Sequence, residues 1–353
     1  MTQPQPTFGR RYGRYGRYAL LGLGAAAVAA GVGYLASRAF ANRVRRAPDP
    51  YAGDDDVFPP DVRHERVRTS DGGDIHVVVR DPRPNGGRPA RPLVLLHGIG
   101  LRSGLWRYQF LDLVDRFRVV AVETRGHGES KAGGDGYGLG PAARDVAEVF
   151  DALDLRDAIV VGHSMGGMVV MQLAADHRPV LDDRVAGLVF LATAPFLGVP
   201  ASIAARAVGL ADRAARWEGR RLKVPLQRFA HSDLAFVLAR VGFGVDPSPT
   251  HVELTRRMLT EVPLQAFLPS GLRLLSHDAG DALRATDTPS LVIVGDHDHI
   301  TPPRFSEALA GLLPDARLVE LPGCGHQVML ERRHELADLL RTFDAELRAR
   351  GAD

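Results

Sequence analysis

The stretch Ile159-Val160-Val161-Gly162-His163-Ser164-Met165-Gly166-Gly167 decides the fold. Three β-branched residues predict a short buried strand. Residues 164–176 read as a helix, and between the two lies Gly162-His163-Ser164-Met165-Gly166, a G-x-S-x-G pattern in a strand–turn–helix setting. The glycines have a steric reason. A serine at so tight a turn has strained dihedrals, and larger flanking side chains would collide with strand and helix. The turn lifts the hydroxyl above the sheet and puts a helix N-terminus beneath it, where negative charge is favoured. The pentapeptide alone also fits a plain Gly-rich turn, so the rest of the chain has to decide.

Outward from this point, short apolar runs alternate with amphipathic stretches. The runs are Leu93–Leu96, Val119–Val122, Ile159–Val161, Leu188–Leu191, Leu291–Val294 and Arg317–Leu321. Helical patterns occupy Pro141–Leu153, Ser164–Asp176, Pro303–Leu313 and His334–Leu347. Such alternation predicts an α/β fold: a mostly parallel eight-stranded sheet with helices on both faces. Val67–Thr69 and Ile75–Val79 flank Asp71-Gly72-Gly73 and predict a hairpin at an antiparallel edge. From Phe196 to Gly280 no strand is evident. Helical patterns at Ile203–Trp217, Leu234–Val241 and Val252–Glu261 predict an α-helical cap insertion. The expected division is 1–60 (basic N-terminus, hydrophobic segment and linker), 61–195 (first part of the core), 196–280 (cap) and 281–353 (second part of the core).

A serine needs a neighbouring base, and histidine suits that task near neutral pH. Of 13 histidines, His326 follows a strand within Pro322-Gly323-Cys324-Gly325-His326, a loop flexible enough to bring an imidazole back over the sheet. His163, beside Ser164, should point away from the hydroxyl in the tight turn. Asp298 and Asp296, in Gly295-Asp296-His297-Asp298, are the candidate acids. The Met165 N–H, just after the nucleophile, is a candidate oxyanion donor.

These motifs, with His97-Gly98-Ile99-Gly100 and Arg125-Gly126-His127-Gly128-Glu129-Ser130, make residues 63–348 resemble an α/β-hydrolase of the group containing esterases, lipases and cofactor-free haloperoxidases. The resemblance implies a triad of Ser164, Asp298 and His326. It favours Asp298 over Asp296 and points to Ile99 as the second oxyanion donor. It also implies hydrolysis of a small-molecule ester, with lipophilic acyl esters expected. Carbon–carbon bond hydrolysis or peracid formation with the same triad is the alternative, and a noncatalytic scaffold is a third reading. Leu234, Phe236, Val237, Leu238 and Phe243 either line an acyl pocket or pack the cap on itself. Glu123 departs from the aspartate usual before the Arg-Gly loop, and an effect on loop packing is expected. No cofactor is expected. His297, Asp298 and His299 are ligand-like in type, but a triad accounts for Asp298 and no metal is expected. Cys324, the single cysteine, cannot form an internal disulfide.

The net charge of +2 gives no field that would draw nucleic acid. Residues 18–37 carry no charge, between Arg10, Arg11, Arg14 and Arg17 and a second group, Arg38, Arg43, Arg45 and Arg46. That length suits a bilayer-spanning helix, which predicts membrane association and a membrane-anchored protein. Ala39-Phe40-Ala41 has the form of a cleavage site, so secretion after signal cleavage is the alternative. Residues 47–60 read as a Pro- and Asp-rich linker that buries little.

Overall fold

The computed structural model describes residues 35–54, 58–82, 90–197 and 231–351, together with Gly33 and Arg206. Eight strands form one sheet in the order β1-β2-β4-β3-β5-β6-β7-β8. They are β1 (Arg63–Arg68), β2 (Asp74–Arg80), β3 (Arg91–Leu96), β4 (Phe117–Val122), β5 (Ala158–His163), β6 (Val185–Leu191), β7 (Ser290–Gly295) and β8 (Ala316–Leu321). The β1–β2 hairpin pairs antiparallel, as does β2 with β4; β3 to β8 are mutually parallel. Gly72 takes φ +83° in the hairpin turn, a conformation that costs glycine little.

Alternate residues of each inner strand face opposite sides, so a continuous apolar run feeds two cores. Leu93, Leu95, Ile159, Val161, Leu291 and Ile293 join one cluster with Trp106, Phe110 and Leu340. Val94, Leu96, Val160 and Val292 join the other with Val146, Phe150, Val169 and Leu309.

Described helices are α1 (residues 35–45), α2 (Arg107–Asp112), α3 (Leu139–Ala152), α4 (Met165–Asp176), α5 (Arg178–Arg184), α6 (Asp233–Arg240), α7 (Pro249–Glu261), α8 (Leu264–Leu274), α9 (Gly280–Arg284), α10 (Pro303–Leu312), α11 (Val328–Glu331) and α12 (Arg333–Arg350). Between β6 and β7 the described segments are helices α6 to α9, with one isolated bridge, Phe196 to Asp278. The pattern at Ile203–Trp217 lies outside the described residues, save Arg206. Helix α8 is absent from the expectation, because Pro269 and Gly271 break its pattern.

The expected membrane location needs correction. Among the described residues no helix is long and apolar enough to cross a membrane. Residues 18–32 and 34 lie outside the described residues. The described end of that stretch runs into α1, which carries Arg38, Arg43 and Arg45 and seats Ala41 and Val44 in the core. Arg45 pairs with Asp233 at 2.6 Å and lies over the Phe236 ring. Burial of one small apolar face against the cap, not an all-round lipid-facing surface, is what this helix satisfies. Ala39-Phe40-Ala41 sits within it, with Ala41 fully buried. The linker also makes more contacts than a segment expected to bury little. Asp49 accepts hydrogen bonds from Ser248 Oγ (2.7 Å) and from Thr250 N (3.0 Å) and Oγ1 (2.7 Å) at the start of α7. Tyr51 packs on His251 and Phe58 on Phe110.

Candidate active site

Ser164 stands between β5 and α4 with φ +51° and ψ −119°, a strained conformation for a side-chain-bearing residue. The surroundings hold it there. Its N–H donates to the Leu191 carbonyl at 3.0 Å. Its own carbonyl accepts from Gly167 N at 2.9 Å, Met168 N at 3.2 Å and Thr193 Oγ1 at 2.7 Å. The flanking glycines leave no room for a methyl. A Cβ on Gly162 would lie 2.6 Å from Gly167 Cα, and one on Gly167 would lie 2.7 Å from the Thr193 side chain.

The strand ends β3, β5, β7 and β8 bring four loops to one edge of the sheet. His326 follows β8, and its Nδ1–H donates to Asp298 Oδ2 at 2.8 Å. Asp298 follows β7 and is fully occupied. Oδ1 accepts from Ile300 N (2.8 Å) and Thr301 N (2.9 Å), and Oδ2 also accepts from Thr301 Oγ1 (2.8 Å). Burial would raise its pKa, but the His326 charge and these hydrogen bonds hold it below the usual carboxylate range. Asp296 instead pairs with His297 at 2.7 Å and accepts backbone hydrogen bonds from Gly323 and Cys324.

His163 joins the two halves. Its ring lies 4.7 Å from the His326 ring, and its Nε2–H donates to the His326 carbonyl at 3.0 Å. Burial, reinforced by the neighbouring His326, pushes its pKa well below the ordinary value, which keeps the ring neutral. The elbow and the distant loop thus meet on the same side of the sheet. A Cβ on Gly98 would fall 2.9 Å from His163 Nδ1 and 3.1 Å from Ser164 Cβ. The Gly98-Ile99 backbone therefore presses directly on Ser164. Met165 opens α4, and the first N–H of a helix has no intrahelical acceptor. His297, Asp298 and His299 do not converge, and no group of three potential metal ligands occurs among the described residues.

Residues 91–333 match the family model described as alpha/beta hydrolase fold. The chain belongs to that family. This hydrolase is 35% identical over 245 residues to a non-heme haloperoxidase of Rhodococcus erythropolis, covering 67% of the chain and 85% of the relative. It is 30% identical over 254 residues to a pimeloyl-acyl-carrier-protein methyl ester esterase of Nitrosomonas europaea, covering 67% and 89%. A thermophilic esterase from Thermogutta terrifontis superposes with a TM-score of 0.65 at 25% identity, covering 81% of this chain and 99% of that one.

Other motif residues of the hydrolase brace the site. Buried Glu123 accepts from Ser103 N (3.1 Å), Ser103 Oγ (2.6 Å) and Glu129 N (2.7 Å), and pairs with His76 at 2.8 Å. Burial opposes its charge, yet hydrogen bonds from His76, Ser103 and Glu129 lower its pKa to about 2. It ties the loop after Ile99 to the Arg-Gly loop, so its larger size is used in packing. Arg125 forks onto Asp145 at 2.7 and 2.6 Å. The apolar cap candidates are split. Phe236 and Phe243 are buried, whereas Leu234 and Leu238 are 48% and 54% exposed. Leu259 and Phe267 of the cap lie close to the Ile99 loop, and a Cβ on Gly100 would meet their side chains. Neither was singled out by pattern, because only the folded cap brings α7 and α8 over that loop. No sequence pattern marks Glu331 either. Its carboxylate accepts Gly244 N–H at 2.7 Å and Gly325 N–H at 3.0 Å, one residue before His326.

Proposed function

We propose that this chain is a serine hydrolase that cleaves carboxylic esters through an acyl-enzyme, with lipophilic acyl esters as substrates. The observation that carries it is the Asp298–His326 pair, seated beside the strained Ser164 turn. In the proposed cycle Ser164 Oγ attacks the ester carbonyl while His326 Nε2 takes its proton. Asp298 holds His326 in the tautomer that leaves Nε2 free to accept, and stabilises the imidazolium that forms. The N–H groups of Met165 and Ile99 meet the developing oxyanion, a contribution worth about 3 kcal/mol per donor. His326 then protonates the leaving alcohol, and a water activated by the same imidazole releases the acid. Leu259 and Phe267 above the Ile99 loop favour an apolar acyl chain. The esterase relatives support the same chemistry.

The haloperoxidase relative supports a second reading, in which hydrogen peroxide replaces water on the acyl-enzyme and a peracid leaves. One assay separates the readings. Fluorophosphonate should label Ser164, and p-nitrophenyl esters from C2 to C16 should be hydrolysed with a preference for longer chains. Ser164→Ala and His326→Ala should each lose turnover by roughly 10³-fold or more while keeping the fold. Undiminished activity in either variant would remove the triad. Halogenation dependent on acetate and peroxide, without ester turnover, would favour the peracid reading.

A further inference from the structure

The loop bearing His326 takes its backbone partners from the cap. His326 N–H and Gln327 N–H both donate to the Gly242 carbonyl, at 2.9 and 3.1 Å, and Val245 N–H donates to the Gly323 carbonyl at 3.1 Å. The two segments meet main chain to main chain. A Cβ on Gly325 would overlap the backbone of Phe243 and Gly244, and a Cβ on Gly244 would overlap Gly323 and Cys324. At this crossing the partly buried carboxylate of Glu331 places Oε2 on Gly244 N–H and Oε1 on Gly325 N–H. Arg240 ties the Phe243 carbonyl at 2.9 Å on the cap side, and Arg332 ties the Pro322 carbonyl at 2.9 Å on the other.

We propose that Glu331 is a positioning residue for the general base: one carboxylate, with an oxygen on each segment, sets His326 over Ser164 and makes that placement depend on the cap turn Phe243–Val245. The proposal rests on the hydrolase reading above. The carboxylate offers one oxygen to each N–H, so neither segment's donor has to share an acceptor with the other. Glutamine at this position keeps the size but turns an NH₂ towards one of the two donors. The loop then shifts, and a displacement near 1 Å at a catalytic group costs up to about 100-fold in rate. The cap thereby does more than cover the site, since its turn forms one wall of the base's own loop.

The test is Glu331→Gln in the full chain. With p-nitrophenyl butyrate, kcat should fall roughly 10- to 100-fold while KM stays within about twofold. Fluorophosphonate labelling of Ser164 should slow in parallel. The far-downfield proton resonance of His326 Nδ1–H on Asp298 should shift or broaden. Glu331→Asp, which keeps two acceptor oxygens on a shorter stem, should recover part of the rate. Wild-type kcat, labelling rate and imidazole resonance in Glu331→Gln would overturn the proposal, as would a rise in KM alone. If Glu331→Gln does not fold, Glu331→Asp carries the test, and wild-type behaviour in it is the overturning result. If the wild-type protein neither labels nor turns over, the hydrolase reading fails separately. The imidazole resonance then judges the positioning, and no change in it overturns the proposal.

Discussion

Ser164 is held at φ +51° by hydrogen bonds on both its N–H and its carbonyl, so its strain, of order 1–3 kcal/mol, is supplied by the packing around it. Gly98 shows how little slack remains. A Cβ added there would lie 2.9 Å from His163 Nδ1 and 3.1 Å from Ser164 Cβ, so Gly98→Ala should push the Ile99 loop away. Activity should drop up to about 100-fold with a small change in melting temperature; near-native kcat/KM would mean that the loop does not shape the site. Asp298 and Asp296 make a sharper pair. Asp298→Asn should cost on the order of 10⁴ in kcat, because an amide no longer selects the His326 tautomer. Asp296→Asn should cost far less, since its carboxylate meets half-exposed His297 and the Gly323 and Cys324 backbone rather than the imidazole. Equal losses in the two variants would count against the geometry. Ser164 and His326 stand out as candidates from their loops alone. The choice between the acids needed the family resemblance, because both aspartates sit on one short loop and only the direction of the side chain separates them.

At the scale of elements, strands were easier to read than helices. Fully buried parallel strands are continuous β-branched runs, and their signal is local. Helix α8 was hidden because Pro269 and Gly271 interrupt it; it is seated over the Ile99 loop, where a Cβ on Gly271 would lie 3.2 Å from Ile99 Cδ1. The 47–60 segment reads as a polar linker by composition, yet Asp49 reaches the N-terminus of α7 across 199 residues. A carboxylate at that helix end satisfies a free N–H and faces the positive end of the dipole. Asp49→Ala should therefore destabilise the protein by about 1 kcal/mol, read as a lowered urea midpoint with unchanged m. A midpoint equal to wild type would show that the segment adds nothing to the cap.

For the molecule as a whole, buried neutral histidines set the response to acid. Burial keeps His163 well below its ordinary pKa, His251 and His277 at about 4, and His127 at about 3. These folded-state values lie under the unfolded value of 6.5, so below that pH the unfolded chain binds protons that the folded one refuses. Stability is whole above pH 6.5 and falls as pH drops towards 4, by about 1.4 kcal/mol per pH unit for each such histidine. Glu123 extends the loss, since its contribution is present above about 4.5 and fades as pH falls towards about 2. Melting temperatures at pH 7.5, 6, 5 and 4 should descend steadily. A flat profile would mean that these rings are protonated in the fold.

Period and glycine placement are local properties, so the chain by itself determined the parallel sheet, the sharp serine turn and the loop that returns the imidazole. Hydropathy misled at the N-terminus, because an uncharged run does not reveal that its end continues into an arginine-bearing helix docked by Ala41 and Val44. Only the tertiary structure showed Asp298, which the resemblance favoured, in contact with His326, Asp49 capping a cap helix, and Glu331 bridging the cap turn and the His326 loop. Each of those is a contact between residues far apart in sequence, set by how the loops cross, and no pattern within a window records a crossing.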